Sequence, residues 1–162
     1  MTDTGNSFEG GCDCRFVRYR LRSKPLIVHC CHCRWCQRAS GAAFALNAMI
    51  EADRVEITSG EPVLIDTPTA SGRGQKVQRC PKCMVALWSH YSGAGDRIAF
   101  VRVGTLDNPD AFPPDVHIFT STRQPWVHLP EGVRVFPEFY NIPDVWTPEA
   151  LQRGGVLRGA RA

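Results

Sequence analysis

Cysteine is the residue type with the clearest capacity for chemistry in this 162-residue chain. The eight cysteines form three groups along the sequence, C-x-C, then C-C-x-C-x-x-C, then C-x-x-C. Turns with these spacings can place two sulfurs on one zinc ion, at about 2.3 Å each. A disulfide within C-x-C would close a short, strained ring, so the spacing favours metal binding over disulfides.

The first and last groups each supply one pair of sulfurs, Cys12 with Cys14 and Cys80 with Cys83. Four thiolates complete the coordination of a structural zinc. We therefore expect a closed zinc site that joins the start of the fold to its middle.

The middle group supplies a set of three, Cys31, Cys33 and Cys36. Three protein ligands and one open position are the usual arrangement of a catalytic zinc. We expect a second zinc here, with these cysteines as the catalytic group, and we expect it to be the more easily lost of the two ions.

Cys30 offers an alternative, because its thiolate could close the second site. If a strand runs over 26–31, alternation puts Cys30 on the opposite face from Cys31, in the apolar core. His29 and His32 are further candidate ligands beside the cysteines. The remaining alternative is that both sites are closed and only stabilise the fold.

Many short apolar runs separated by Gly and Pro turns predict a mainly β, single-domain protein. We expect a flexible tail over 1–9, a zinc-binding β domain over 10–136 and an extension over 137–162. In the extension, Thr147 and Pro148 predict the start of a short helix that Gly154 ends. Trp146 on this segment could contact a partner or a second copy in a homodimer, or it could fold back on the sheet.

Composition narrows the functional class. The net charge of +3, from 19 basic and 16 acidic residues, is weak for a nucleic-acid-binding protein. The polar N-terminus lacks a signal peptide, and no apolar run approaches the roughly 20 residues of a membrane span. We expect a cytoplasmic protein, where reduced cysteines serve metal or redox chemistry.

The order of these motifs resembles the glutathione-dependent formaldehyde-activating (GFA) family, to which centromere protein V is similar. The resemblance extends over about 10–136. It is carried by the residues Cys12, Cys14, Cys31, His32, Cys33, Cys36, Gln37, Ser40, Gly41, Cys80, Cys83, the run Val116-His117-Ile118-Phe119 and Pro125-Trp126. The chain departs from the family pattern at Met84, where the family usually has Gly, at the extra Cys30, and beyond Phe136.

The resemblance implies a β-tent fold like that of a Rab-GTPase accessory factor. It implies a structural zinc on the two outer pairs and a second zinc that meets the substrate thiol. The family activity joins glutathione to formaldehyde, giving S-hydroxymethylglutathione, and is classed as a carbon–sulfur lyase activity. The expected partners are therefore a small thiol such as glutathione and a small aldehyde.

A thiol on the open position would be deprotonated and could attack an aldehyde carbon. Gln37 or Ser40 could donate a hydrogen bond to the developing alkoxide, although both also suit capping roles. Arg34 and Arg38 flank the cluster and could bind the carboxylates of glutathione. These substrate contacts are predictions from proximity in sequence.

A non-catalytic zinc-binding module for a protein or nucleic-acid partner is the alternative function. It would use Arg18, Arg20 and Arg22, which alternation aligns on one strand face. An aromatic content of 9% without interleaving argues against base stacking. The same arginines could simply protect an exposed strand from aggregation.

Overall fold

The fold is mainly β, as predicted, in a computed structural model that describes residues 7–155. The strands are β1 (Phe8–Gly11), β2 (Arg18–Leu21), β3 (Ile27–Cys31), β4 (Ala45–Glu51), β5 (Val55–Ser59), β6 (Val63–Thr67), β7 (Gln75–Arg79), β8 (Ala86–Tyr91), β9 (Ile98–Arg102), β10 (Val116–Ile118) and β11 (Arg134–Val135). The α-helices are α1 (Arg34–Ser40), α2 (Ile142–Val145) and α3 (Pro148–Arg153). Within the described range, no helix has the length and apolar character needed to cross a membrane.

The strands form two sheets. The smaller has the order β1-β2-β5, and the larger has the order β11-β10-β3-β4-β9-β8-β7-β6. Neighbouring strands are antiparallel, except that β10 runs parallel to both β3 and β11. This arrangement brings β3 to the middle of the larger sheet, between β10 and β4.

Each face of the larger sheet packs on its own hydrophobic core. Alternation along β4 divides its residues, with Ala48 and Ile50 in one core and Ala45 and Met49 in the other. The first core also contains Tyr19, from the smaller sheet, and the second contains residues of the C-terminal segment. The larger sheet is therefore covered on both faces.

The C-terminal helix is confirmed. The Thr147 hydroxyl accepts a hydrogen bond from the Ala150 N–H at 3.1 Å, and Gly154 follows the last turn. The partner-contact interpretation of Trp146 is wrong for this chain, because its ring is 5% exposed and packs in the second core. The Trp146 indole N–H donates to the Tyr140 hydroxyl at 2.9 Å.

Two predicted boundaries differ from the structure. The tail predicted over 1–9 overlaps β1 at Phe8 and Glu9, because the Phe8 ring packs edge-on against Phe112 at 4.5 Å. Residues 1–6 and 156–162 lie outside the described part of the chain. The strand considered over 26–31 begins at Ile27 as β3, and the helix α1 that follows it is terminated by Gly41 in a left-handed conformation.

An ion pair anchors α3 to the larger sheet. The Arg153 guanidinium donates to both carboxylate oxygens of Glu51, at 2.9 and 2.8 Å. Both side chains are mostly buried, with 17% and 11% exposed. Burial raises the pKa of Glu51, but the hydrogen bond from Arg153 and the charges of Arg153 and Arg54 outweigh it, so the net pKa is lowered.

We expect Arg153→Met to lower the free energy of unfolding by about 3 kcal/mol at pH 7, because a buried carboxylate loses its partner. Since the folded pKa of Glu51 is lowered, the pair stabilises above the unfolded pKa, and this stabilisation is lost as pH falls through the folded value. Urea unfolding from pH 7 to about pH 3, which passes below the usual pKa of a glutamate, tests this. The exposed Arg97→Met is the control, and a difference from wild type that does not shrink with pH would contradict the assignment.

Candidate active site and metal centres

Two groups of cysteine sulfurs meet in the folded chain, and the first contains the outer pairs. The sulfurs of Cys12, Cys14, Cys80 and Cys83 all lie within 4.8 Å of one another. The Sγ–Sγ distance is 3.6 Å both from Cys12 to Cys14 and from Cys14 to Cys80. A disulfide requires about 2.05 Å, whereas two thiolates at 2.3 Å on a tetrahedral ion lie about 3.8 Å apart. The spacing therefore fits four thiolates around one zinc-sized ion.

The turns that carry these pairs use left-handed backbone conformations. The Arg15 N–H donates to the Cys12 carbonyl at 3.1 Å, and the Met84 N–H donates to the Cys80 carbonyl at 3.0 Å. The φ angles of Arg15 and Met84 are 61° and 60°. Side chains other than glycine adopt this region at a cost, so the departure at Met84 leaves the turn intact but strained.

The first sulfur group lies between the two sheets. Cys12 directly follows β1 of the smaller sheet, and Cys80 directly follows β7 of the larger one. A metal bound here would cross-link segments that are distant in sequence, which raises stability by restricting the unfolded chain.

The second group lies where β3 passes into α1. The sulfurs of Cys31, Cys33 and Cys36 are all within 4.8 Å of one another. Cys31 is the last residue of β3, while Cys33 caps α1 and accepts a hydrogen bond from the Cys36 N–H at 3.3 Å. The strand end and the first helical turn thus converge their sulfurs at one point.

The protonation behaviour of the three thiols in this second group favours the binding of a cation. Hydrogen bonds from the thiols of Cys31 and Cys36, helped by the backbone N–H of Cys36, lower the pKa of Cys33 to about 2. The same hydrogen bonds to Cys33 and Cys36, with burial, raise the pKa of Cys31. One thiolate is therefore favoured and further ones are opposed. A bound divalent ion removes this opposition and deprotonates the coordinating thiols.

Cys30 belongs to a separate buried cluster. Its sulfur lies 3.5 Å from His32 Nε2, which is in turn 2.9 Å from His117 Nδ1. Cys30 is 1% exposed, as its predicted place in the core requires, and two imidazoles are its polar neighbours there. Burial lowers the pKa of His32 to about 4 and also lowers that of His117, so both rings are neutral. Neither Cys30 nor His32 joins the three sulfurs.

A cavity of about 270 Å³ adjoins the second sulfur group. Its lining comes mainly from one face of the larger sheet and from α1, with further residues from the loop 69–71 and one residue from the C-terminal segment. The lining side chains include the three cysteines and His29, Trp35, Asn47, Met49, Tyr91, Phe100, Ile118, Phe119 and Phe139. Sequence reasoning missed most of these residues because they come from separate strands, although alternation from Cys31 indicates that His29 shares its face.

Tyr91 is the most useful hydrogen-bond donor in the cavity. Burial and the nearby sulfurs of Cys36 and Cys31 raise the pKa of the Tyr91 hydroxyl, so it stays protonated. Asn47 lies in the same cavity, and its Oδ1 accepts a hydrogen bond from Arg102, which leaves the Asn47 NH₂ free to donate. Both groups can serve an oxygen atom that lies near the sulfurs.

The predicted donors Gln37 and Ser40 do not face this cavity. The Gln37 amide donates to the backbone carbonyls of His32 and Thr122, at 2.7 and 3.0 Å. The Ser40 hydroxyl contacts the carbonyls of Cys36 and Phe44 at 2.8 and 3.1 Å. Their hydrogen bonds hold α1 in place, so the expectation that they assist an alkoxide is corrected.

Arg34 lies in a groove next to the cavity. The groove has a volume of about 480 Å³, includes Arg38 and Glu138, and shares Cys33, Trp35 and Phe119 with the cavity. The Arg34 Nη1 donates to Gln37 Oε1 at 2.9 Å, which orients the guanidinium. Both arginine side chains are exposed, so each can bind an anion there.

Comparison with known proteins agrees with this geometry. Residues 7–122 match the model of the family described as glutathione-dependent formaldehyde-activating enzyme, GFA. The chain belongs to this family. With the two sulfur groups, membership supports a zinc-binding enzyme of the GFA type. The crystal structure of a Rhodobacter sphaeroides protein is similar at 17% identity, over 61% of this chain and 87% of that one, with a TM-score of 0.44.

Met84→Gly is expected to raise the free energy of unfolding by up to about 1 kcal/mol. Relief of the left-handed strain should raise the free energy of unfolding by roughly 1–2 kcal/mol. The greater flexibility that glycine gives to the unfolded chain should lower it by roughly 0.5–1 kcal/mol. Urea unfolding of the zinc-loaded protein measures the change. As a control, Asp13→Gly in the other cysteine turn should destabilise. If Met84→Gly lowered the free energy of unfolding, this would contradict the conclusion that the turn is strained at Met84.

Proposed function

We propose that this protein is a zinc-dependent carbon–sulfur lyase that adds a small thiol, such as glutathione, to a small aldehyde, such as formaldehyde, and releases it again. This proposal rests mainly on the observation that the sulfurs of Cys31, Cys33 and Cys36 converge at the wall of a cavity. Among residues 7–155, no fourth His, Cys, Asp or Glu completes the group. A three-ligand site beside a cavity is the arrangement expected of a catalytic metal.

The proposed metal assignment has two zinc ions with different roles. Cys12, Cys14, Cys80 and Cys83 would hold the structural ion, and Cys31, Cys33 and Cys36 the catalytic one. The catalytic zinc, when bound, would take up the substrate thiol as its thiolate. Since all eight cysteines are free thiols, the chain suits a reducing compartment such as the cytoplasm.

The groove next to the cavity is the proposed binding site for the thiol substrate. Glutathione carries two carboxylates, and the exposed guanidinium groups of Arg34 and Arg38 suit them. Because Cys33 lines both the groove and the cavity, a thiol that enters by the groove reaches the three sulfurs at this residue. The two arginines would hold the body of the substrate and place its sulfur.

Tyr91 is the proposed proton donor. As the substrate sulfur bonds to the carbonyl carbon, the carbonyl oxygen gains negative charge and needs a hydrogen bond. The Tyr91 hydroxyl can donate a proton to this oxygen, and the Asn47 NH₂ can donate a second hydrogen bond. In the reverse direction, the Tyr91 oxygen takes the proton back as the carbon–sulfur bond breaks.

The main argument for the alternative function, a zinc-binding module for a nucleic-acid partner, was the row of arginines, and the structure weakens it. The arginine row on β2 and just after it is neutralised by acidic neighbours, in the pairs Arg18–Asp107, Arg20–Glu9 and Arg22–Glu56. Such paired side chains offer little free positive charge to a phosphate backbone. The enzyme is therefore the better-supported function.

Catalysis is tested by exchange between glutathione and S-hydroxymethylglutathione, which NMR exchange spectroscopy measures above the spontaneous rate. We expect Cys33→Ser to abolish the enzymatic exchange. Tyr91→Phe should slow it about a hundredfold, the usual cost of removing one transition-state donor. Tyr19→Phe is the matched control, since Tyr19 lies in the other core and bonds to Thr105. Wild-type exchange at the spontaneous rate, across several thiols and aldehydes, would refute the proposal.

A further inference from the structure

We propose that the cavity beside the three sulfurs binds an apolar group of about the size of a phenyl ring, carried by the aldehyde. This inference rests on the proposed function and names the substrate class of the same site. It predicts that an aromatic aldehyde, with benzaldehyde as the simplest probe, fits the cavity better than formaldehyde does. The support comes from the size, the lining and the construction of the cavity.

The volume of the cavity exceeds what formaldehyde requires. Formaldehyde has one carbon and one oxygen, whereas the cavity measures about 270 Å³. An apolar cavity of about 150 Å³ is sufficient to bind benzene. A substrate that left this space empty would forgo most of the available contact.

Outside the sulfur group, the lining of the cavity is rich in aromatic rings, and its polar residues, Asn47, Thr69 and Ser71, are uncharged. Trp35, Phe100, Phe119 and Phe139 contribute rings to it. Among the described residues, none of the lining side chains is a Lys, Arg, Asp or Glu. A carboxylate placed among these rings would lose its hydration and find no cationic side chain in the described lining, which is costly.

The groove and the cavity thus offer chemically different binding sites to the two substrates, the thiol and the aldehyde. The groove carries two arginines and one carboxylate, that of Glu138, whereas the described cavity lining carries no charged side chain outside the sulfur group. Both are lined by Cys33, Trp35, Thr69, Ala70 and Phe119. An anionic thiol suits the groove, so the cavity is left for the group attached to the carbonyl carbon. The carbonyl itself would lie between the sulfurs and Tyr91.

Phe139 lines the cavity from a part of the chain that the family match does not include. It lies beyond residue 122, where the match to the family ends. Its ring stacks on Tyr140 with centroids 4.5 Å apart. The Tyr140 hydroxyl is fixed by the Trp146 indole N–H at 2.9 Å and by His29 Nε2 at 2.6 Å. The buried Tyr140 side chain therefore positions the Phe139 ring, which is itself 47% exposed, at the cavity.

Phe119 completes the wall from the opposite chain segment. Its backbone has a φ of 54°, a conformation that bulky residues seldom adopt. The Phe119 N–H donates to the Glu138 carbonyl at 3.2 Å, which ties the two segments together. The rings of Phe119 and Phe139 lie 6.4 Å apart. A strained residue beside a cavity is typical of a functional position.

The reaction with an aromatic aldehyde balances without an oxidant or reductant. The thiolate sulfur forms a bond to the carbonyl carbon, and the π electrons of the carbonyl move to its oxygen. That oxygen takes the proton of the Tyr91 hydroxyl, which solvent then restores. The product is a thiohemiacetal that carries the aromatic group.

Binding is tested apart from turnover with benzyl alcohol, an unreactive analogue of benzaldehyde. Saturation-transfer NMR on the zinc-loaded protein should show saturable binding. Phe139→Ala should weaken it about tenfold, within the range for lost contacts in an apolar pocket. Phe139→Leu should retain most of it. Leu64→Ala on β6, an equally exposed apolar side chain outside the cavity, should have no effect.

Turnover of benzaldehyde and of formaldehyde with glutathione is measured on the same variants. We expect Phe139→Ala to lower the ratio of kcat/KM for benzaldehyde to that for formaldehyde about tenfold. Absence of saturable benzyl alcohol binding, or binding indifferent to Phe139→Ala, would overturn the inference even if formaldehyde reacts. Phe139-dependent binding without turnover of either aldehyde would support the ligand class and reject the proposed function.

Discussion

Sulfur–sulfur repulsion is the constraint on which the arrangement of this protein depends. Seven of its eight cysteines lie in two groups whose sulfurs are all within 4.8 Å of one another. In the outer pairs, the 3.6 Å spacings are too long for disulfides, and thiolates so close repel one another unless a cation lies between them. One group lies between two sheets and the other at the end of a central strand. Metal binding, folding and the proposed chemistry are therefore coupled.

The second group lies at a boundary between two environments. On one side is a groove with two exposed arginines, and on the other is a cavity of aromatic rings. The C-terminal segment contributes Phe139 to the cavity, and the ion pair between Arg153 and Glu51 fastens that segment to the sheet. The extension thus contributes to the site as well as to the core.

The sequence predicted features that depend on local spacing. The mainly β fold and the helix capped by Thr147 followed from turn and capping signals, and the grouping of the cysteines followed from short spacings and strand alternation. The cavity could not be predicted, because Tyr91 and Phe139 reach it only through strand order and the folding back of the C-terminal segment. Proximity in sequence suggested Gln37 instead, whose amide is held by backbone carbonyls. Trp146 was ambiguous because sequence does not show which face of a segment is covered.

The most direct test of the central claim is zinc content per chain, measured by elemental analysis on wild type, Cys31→Ser and Cys30→Ala. Cys30 is the matched control, since it adjoins Cys31 but lies in the histidine cluster. We predict two zinc ions in wild type, one in Cys31→Ser and two in Cys30→Ala. A single zinc in all three proteins would contradict the account, because the three-sulfur group would then not be a metal site.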